Sequence, residues 1–216
     1  APIIYGGSPA MFDMRVGTTP MGAIETMMID SAYAQVGKYL GLPTHAYMGL
    51  SDSKCVDMQA GLESGMGILM AALAGINVVS GAGMMDFENC QSLEKLVIDN
   101  EICGMALRLI KGISQRDEVI AKDIIKEVIS SGKFISHPHT LKWYKREAYY
   151  PGKVIDRTAD EQFYINGGKC AFEKAHEQVE KILSTYKPEP LEKEKLNALK
   201  DIMSHRFAQF GYDFSA

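Results

Sequence analysis

Polar side chains that could take part in chemistry are concentrated between Gly49 and Glu63. Ser51, Asp52 and Lys54 lie in a short polar loop, and Glu63 follows on the next predicted helix. Carboxylates, a hydroxyl and an ammonium group at this spacing can bind a charged substrate and orient it for reaction. A solvated ion pair beside a helix cap would have the same sequence, so a structural interpretation stays open for these residues.

Metal and nucleophile chemistry find little support in the sequence. His137 and His139 flank a proline, which makes it difficult for both to face one ion, and no third ligand is clustered with them. The four cysteines form no C-x-x-C pair, and their spacing is typical of buried thiols. Because the sequence also lacks H-E-x-x-H and G-x-S-x-G, we predict no bound metal and no identifiable nucleophile.

The elements that must position these residues alternate between short strands and helices. Strands are predicted at Ile3–Tyr5, Thr44–Met48, Asn77–Ser80 and Phe134–Ser136. Helices are predicted from Thr19-Pro20 to Gly41, from the Asp57 cap to Gly75, from Ser92 to Ile110, from Asp117 to Gly132, from Thr158 to about Tyr186 with a break at Gly167-Gly168, and over Leu191–Phe210. Apolar residues at helical spacing indicate the first helix (Ile24, Met28, Ala32, Val36 and Tyr39) and the second (Leu62, Met66, Leu69 and Leu73). This order predicts parallel strands that are buried on both faces.

Functional loops of such α/β folds lie at the carboxyl ends of the strands. Three of the four predicted strand ends carry glycines, which let a large ligand approach the backbone closely. These glycines are Gly6, Gly7, Gly49, Gly81 and Gly83. The loop with His137 and His139 follows the fourth predicted strand.

The predicted fold class is α/β, with residues 1–150 forming about four strands of a (β/α)8 barrel, its C-terminal half. Residues 151–216 would then form a helical extension. The chain opens at a strand, which indicates that a further segment, the other half of the barrel, precedes it. An open doubly wound sheet, complete in itself, is the alternative.

Composition excludes several classes of partner. Of the 216 residues, 46% are hydrophobic and 23% are charged, and the net charge of −4 gives no reason to expect binding to nucleic acid or to a membrane surface. The longest apolar stretch is too short to cross a bilayer, and no signal-like segment is found. We therefore expect a cytoplasmic location.

Several motifs together resemble the trimethylamine:corrinoid methyltransferase superfamily, and they occur in unbroken order over nearly the whole chain. They are Leu42-Pro43, Gly49, Ser51–Lys54, Asp57, Gln59–Gly61, Glu63, Ala72–Gly75, Gly81–Gly83, Val97–Ile102, Gly112-Ile113, His139-Thr140, Asp156-Arg157 and Ala175. The resemblance implies a cytoplasmic enzyme that moves a methyl group from an amine to the cobalt of a corrinoid (cobalamin) carried by a partner protein. Members of this family are about twice as long, so the complementary half or self-association would complete the site.

One departure from the family pattern concerns the substrate. The founding enzymes of the family carry pyrrolysine immediately before the Ser-Asp pair, a position that Leu50 occupies here. Pyrrolysine is thought to activate neutral trimethylamine, which leucine cannot do. The resemblance therefore implies a substrate that is already a quaternary amine, with glycine betaine as the first candidate and other betaines after it.

The family resemblance also suggests roles for individual residues. Tyr5 and Tyr47 are the candidates to hold the quaternary ammonium on their ring faces, with packing in the core as the alternative for each. Lys54, His137 or His139 would meet a substrate carboxylate beside Ser51. Leu50, Asp52 and Glu63 would form the catalytic motif, and the five glycines would face the corrinoid.

Two other functions stay open at this point. One is a barrel methyltransferase for trimethylamine or another methylated substrate, and the other is a non-catalytic fragment that only binds a partner.

Overall fold

The computed structural model describes residues 1–116 and 120–213. The strands are β1 (Tyr5–Gly7), β2 (Thr44–Ala46), β3 (Val78–Val79), β4 (Met84–Met85) and β5 (Cys90–Gln91). The helices are α1 (Ile24–Tyr39), α2 (Met58–Ala74), α3 (Leu93–Ile110), α4 (Lys122–Val128), α5 (Pro138–Glu147), α6 (Asp160–Ile165), α7 (Ala171–Thr185) and α8 (Lys193–Gln209). The helix start predicted at Asp117 lies outside the described residues.

The first three strands form a parallel sheet in the order β1-β2-β3. Tyr5 pairs with Thr44, and His45 pairs with Val78. Each crossover contains one helix, α1 between β1 and β2 and α2 between β2 and β3. This part of the α/β prediction is therefore confirmed.

The fourth predicted strand, Phe134–Ser136, is wrong. This segment forms a turn in which the His137 N–H donates to the Phe134 carbonyl at 3.2 Å. His137 is the N-cap of α5, and Pro138 lies at its first position, where the missing N–H costs nothing. A helix start thus takes the place of the expected strand end.

The core lies between the sheet and the two crossover helices. It contains Met27 and Ala34 of α1, Ala71 of α2, and Ala46 and Met48 of the β2 segment. Small residues allow this close approach: a Cβ on Gly37 of α1 would lie 2.7 Å from the side chains of both Tyr5 and Thr44.

The buried faces of α1 and α2 are not the ones that carry most of their large apolar residues. Exposed residues at the spacing that predicted these helices are Ile24, Met28, Val36 and Tyr39 on α1, and Leu62, Met66 and Leu73 on α2. The buried residues are instead mostly small or polar, among them Thr26, Ala34 and Gly37 on α1 and Ala60, Ser64 and Gly67 on α2. Helices with small faces can approach the sheet closely and so pack it densely.

Side-chain caps set the starts of α2 and α3 as predicted. The Asp57 carboxylate accepts the Ala60 N–H at 3.1 Å, and the Ser92 hydroxyl accepts the Lys95 N–H at 3.1 Å. At its other end α2 stops at Gly75, which has the left-handed φ of 66° that glycine adopts readily.

The Ser92 cap provides a direct test of this arrangement. We expect Ser92→Ala to lower the free energy of unfolding by about 1 kcal/mol, because the Lys95 N–H loses its acceptor. Ser92→Asn is the matched control, because its side-chain oxygen can still accept the Lys95 N–H, and it is expected to cost little. Urea unfolding of both variants measures the difference, and equal losses would contradict a capping role.

Strands β4 and β5 form an antiparallel hairpin after β3. Its turn contains three consecutive non-glycine residues with positive φ, Asp86 (50°), Phe87 (56°) and Glu88 (70°). Such residues are disfavoured by about 1–2 kcal/mol each, so the surroundings must hold the turn in place. Two backbone bonds contribute: the Ser51 N–H donates to the Met84 carbonyl, and the Asp86 N–H donates to the Ser53 carbonyl, both at 3.1 Å.

The chain divides into two compact units, Ala1–Lys181 and Ile182–Ala216. The first contains the parallel sheet and the core described above. The second contains the end of α7 and all of α8, a helix without a buried residue. In the described ranges, no helix has the length and apolar character that crossing a bilayer requires.

Candidate functional site

The segment that follows β2 is buried and is held by α2. The Ser51 hydroxyl donates to Glu63 Oε2 at 2.6 Å, and the Asp52 N–H donates to the same oxygen at 2.8 Å. The other Glu63 oxygen accepts from the Gln59 amide at 3.0 Å. Hydrogen bonds to a carboxylate are stronger than neutral ones, so Glu63 fixes the conformation of the Ser-Asp pair.

The Asp52 side chain reaches across to the segment before α1. Its Oδ1 accepts the N–H groups of Met21 at 2.9 Å and Gly22 at 3.0 Å, and its Oδ2 accepts the Gly22 N–H at 3.0 Å. Burial raises the pKa of Asp52, while the bonds from Gly22 act in the opposite direction and the nearby Glu63 adds to the rise. Ser51, Asp52 and Glu63, which the sequence predicted as one group, are therefore in contact.

Lys54 is turned toward the β4–β5 hairpin. Its Nζ donates to the Asp52 carbonyl at 2.7 Å, lies 3.4 Å from Asp86 Oδ1, and sits 3.9 Å from the centroid of the Phe87 ring. The ammonium is thus held by a carbonyl, a carboxylate and an aromatic face. No sequence pattern indicates the contacts to Asp86 and Phe87, because they depend on the left-handed turn.

Leu50 is 1% exposed and belongs to the interior of this segment. Gly49 precedes it with a φ of 81°, and a Cβ at Gly49 would lie 2.6 Å from the Ile68 side chain. The position therefore requires glycine for both its conformation and its packing. Leu50 thus places a buried apolar side chain at the position where, according to the family resemblance, the founding enzymes carry pyrrolysine.

The two tyrosines expected to share a substrate lie on opposite faces of the sheet. Tyr5 pairs with Thr44 and lies on the face covered by α1, where its ring is 6.0 Å from that of Tyr33. Tyr47 contacts His45 edge to face, with 5.0 Å between ring centroids. Because side chains alternate along a strand, His45 and Tyr47 lie on the face opposite to Thr44 and Ala46.

The predicted histidine loop is not at a strand end. His137 caps α5, and its Nδ1 accepts the His139 N–H at 3.2 Å. His137 Nε2 lies 3.7 Å from Glu127. Within the described residues, neither histidine forms a hydrogen bond or ion pair with Ser51, Asp52 or Glu63.

The loop glycines differ in exposure. Gly6 and Gly7 are exposed, whereas Gly49, Gly81 and Gly83 are buried. Added Cβ atoms at Gly6 and Gly81 would collide with the backbone of the neighbouring strand segment, at His45 and Met48 respectively. Close packing between strand ends thus accounts for these two glycines, and Gly7 has only an ordinary contact with Pro9.

Two groups of buried charges were missed by sequence reasoning. The first is an ion pair on α3, Lys95 and Asp99, with 2.6 Å between Nζ and Oδ2. The second consists of Asp30 on α1 and Glu88 in the hairpin turn. Each of these two carboxylates has one buried oxygen without a partner in the described part of the chain.

Asp30 is the more perturbed of the two carboxyl groups. It is 1% exposed, and burial, followed by repulsion from Glu88, raises its pKa to about 7. Burial also raises the pKa of Glu88. The sequence offered a signal for Asp30, which lies at helical spacing from Met27 and Ala34 on the buried face of α1. The described residues contain no group of three or more His, Cys, Asp or Glu placed to hold a metal ion.

Comparison with known proteins places these features in a family. A family model described as trimethylamine methyltransferase (MTTB) matches residues 1–211. The chain belongs to the trimethylamine methyltransferase family. The resemblance inferred from the motifs is therefore confirmed.

Relatives in the trimethylamine methyltransferase family have two kinds of name. Trimethylamine methyltransferase MttB of Desulfitobacterium hafniense (strain DSM 10664 / DCB-2) is 34% identical over 98% of this chain and 42% of its own length. Glycine betaine methyltransferase of D. hafniense (strain Y51) is 37% identical over 97% of this chain and 44% of its own length. Trimethylamine methyltransferase MttB of Methanosarcina barkeri (strain Fusaro / DSM 804) is 34% identical over 94% of this chain and 41% of its own length. The chain thus spans less than half the length of these relatives.

Proposed function

We propose that this chain is part of a methyltransferase that removes a methyl group from a quaternary ammonium compound and passes it to a corrinoid carried by a partner protein. Glycine betaine is the first candidate for the methyl donor. The observation that carries the proposal is Leu50, a buried hydrocarbon side chain at the position where the founding enzymes have pyrrolysine.

The leaving group separates quaternary donors from neutral ones. When a methyl group is transferred to a nucleophile, the electron pair of the C–N bond stays on nitrogen. A quaternary ammonium then leaves as a neutral tertiary amine, whereas neutral trimethylamine would leave as an amide anion unless it were first protonated or made quaternary. The corrinoid supplies the nucleophilic cobalt, and Leu50 has no group that could activate a neutral amine.

The residues of this chain would bind and orient the donor. Tyr47, on the sheet face opposite to the helices, offers an aromatic surface for the ammonium, worth about 0.5–2 kcal/mol. A donor carboxylate would compete with Asp86 for the Lys54 ammonium. Asp52 and Glu63 would hold the loop that carries Leu50, since both accept backbone N–H groups.

The exposed glycines fit a surface that a large planar group can approach. Gly6 and Gly7 are exposed at the carboxyl end of β1. The missing Cβ of Gly7 leaves room for contact there, since an added one would meet only Pro9, at 3.8 Å, whereas Gly6 is required by its packing on His45. We propose that this end of the sheet faces the corrinoid partner protein.

We also propose that β1-β2-β3 is part of a (β/α)8 barrel. Both crossover helices contribute to one core, because Ala34 of α1 and Ala71 of α2 pack with Ala46 of β2. A barrel keeps all its helices on the outer face, whereas a doubly wound sheet has helices on both faces. The remaining strands would then come from the rest of the protein.

A panel of methyl donors tests the function. The protein that contains this chain would be incubated with reduced cobalamin and with glycine betaine, tetramethylammonium or trimethylamine, and the cobalamin absorbance would be followed. We expect a change with glycine betaine, a weaker one with tetramethylammonium, and none with trimethylamine. Tetramethylammonium is the matched probe, because it has the quaternary nitrogen but no carboxylate.

Turnover of trimethylamine alone would overturn the argument from Leu50 and would favour a trimethylamine enzyme. A protein that binds a corrinoid protein but demethylates no donor would instead be a non-catalytic binding partner.

A further inference from the structure

A buried ion pair on α3 lies against the segments that follow β2 and β3. Lys95 and Asp99 are one helical turn apart, with 2.6 Å between Nζ and Oδ2, and each side chain is 1% exposed. Removing two charges from water costs several kcal/mol, so such a pair contributes little net stability even when its geometry is good. The reason for this ion pair is therefore to be sought in the groups that it contacts and not in its contribution to stability.

The contacts of the pair join three separate parts of the fold. Lys95 Nζ donates to the Ser64 hydroxyl of α2 at 2.6 Å and approaches the Gly49 carbonyl at 3.4 Å. Asp99 Oδ2 accepts the Gly83 N–H at 2.7 Å. The Ser64 hydroxyl donates to the same Gly49 carbonyl at 3.1 Å. One ion pair thus contacts the backbone at Gly49, directly before Leu50, and at Gly83, directly before the β4–β5 hairpin.

We infer that Lys95 and Asp99 are positioning residues that fix the Gly49 backbone, and with it Leu50, relative to Gly83. The inference rests on the proposed function, because methyl transfer is the reaction that this positioning serves. Each side chain is 1% exposed, so we place neither of them in contact with a donor. They act through the Gly49 carbonyl and the Gly83 N–H, which lie in the segments that follow β2 and β3.

Stability alone does not account for this arrangement. A buried pair can often be replaced by apolar side chains of similar size without loss of stability, whereas removing one partner leaves an unpaired charge. A purely stabilising role and a positioning role therefore predict different rates of methyl transfer for a folded variant in which both charges are replaced together.

The test uses the double variant Lys95→Met/Asp99→Leu in the protein that contains this chain. We expect the urea midpoint to fall, because the buried Gly83 N–H loses its Asp99 acceptor, and we expect the exchange of the Gly83 amide hydrogen to become faster. We expect kcat for methyl transfer to fall by about 100-fold, as happens when a reacting group is displaced by about 1 Å. The matched control is Lys126→Met/Asp123→Leu, which removes an exposed ion pair within α4. It should leave both the Gly83 exchange rate and kcat unchanged.

Three outcomes would decide against the inference: unchanged kcat, unchanged Gly83 exchange, or equal losses in the control. Gly83 exchange is measured without a methyl donor, so it still tests the positioning if the proposed function itself fails. If the double variant does not fold, Ser64→Ala removes the contact of Lys95 with α2 and the hydrogen bond from Ser64 to the Gly49 carbonyl, and leaves the ion pair in place. It should lower kcat less than the double variant and in the same direction, and full activity of Ser64→Ala would then overturn the inference.

Discussion

Replacing Asp52 with alanine is expected to lower the free energy of unfolding by about 2–4 kcal/mol, because two buried donors lose their acceptor. These donors are the N–H groups of Met21 and Gly22, which lie 2.9 and 3.0 Å from Asp52 Oδ1. No other acceptor is bonded to either N–H in the described residues. Urea unfolding at neutral pH measures the loss, and the same variant should lose methyl transfer.

The matched control is Asp52→Asn. The asparagine carbonyl can keep the Oδ1 contacts with Met21 and Gly22 and gives up only the Gly22 contact at Oδ2, so we expect a loss of about 1 kcal/mol. If the alanine and asparagine variants unfold at the same urea concentration, the two N–H bonds do not stabilise the site. If Asp52→Asn also keeps the rate of methyl transfer, the charge of Asp52 is not needed for catalysis.

The second large effect concerns the pH dependence of stability and the buried carboxyl of Asp30. Burial and the neighbouring Glu88 raise its pKa from 3.8 to about 7. The folded state therefore favours the neutral acid, and the contribution of Asp30 to stability is highest below about pH 4. It decreases as the pH rises from 4 to 7 and is constant at higher pH. The decrease amounts to at most about 4 kcal/mol, at 1.36 kcal/mol for each pKa unit.

Asparagine at position 30 keeps the size of the side chain but does not titrate. We expect the difference in unfolding free energy between Asp30→Asn and the wild type to shift in favour of the variant by up to about 4 kcal/mol between pH 4 and pH 8. Asp123→Asn, at an exposed position on α4, is the control and should show no such shift. A difference that stays constant over this pH range would show that Asp30 titrates normally.

Glu88→Gln separates the two causes of the raised pKa. It removes the repulsion between Asp30 and Glu88 but leaves Asp30 buried, so we expect the pKa of Asp30, followed by NMR titration of its carboxyl, to fall only part of the way toward 3.8. A return of the Asp30 pKa to 3.8 in this variant would make repulsion, and not burial, the main cause.

Local signals made the helices after β2 and β3 predictable. Asp57, Gly75 and Ser92 mark helix ends through their own side chains or conformations, so the neighbouring sequence is sufficient. The fourth strand failed because an apolar segment before Pro138 is compatible with either a strand or the lead-in to a helix. The burial of small faces on α1 and α2 depends on tertiary packing, which the spacing of large apolar residues does not report.

The candidate site could be predicted in part. Ser51, Asp52 and Glu63 are close in the sequence, and they are in contact in the fold. Lys95 and Asp99 have the i,i+4 spacing of an ordinary surface pair, and lysine and aspartate are seldom fully buried. Their role depends on partners 16 to 46 residues away along the chain, which no local pattern can indicate.

The left-handed turn at Asp86, Phe87 and Glu88 narrows the amino acids that these three positions can accept over evolution. Side chains branched at Cβ, such as valine and isoleucine, are strongly disfavoured at these φ values, while glycine, asparagine and aspartate are tolerated. Phenylalanine occupies the middle position although glycine would relieve the backbone, and its ring faces the Lys54 ammonium. A gene under selection only for folding would drift toward glycine here, so retention of an aromatic residue at position 87 would be the mark of selection for its ring.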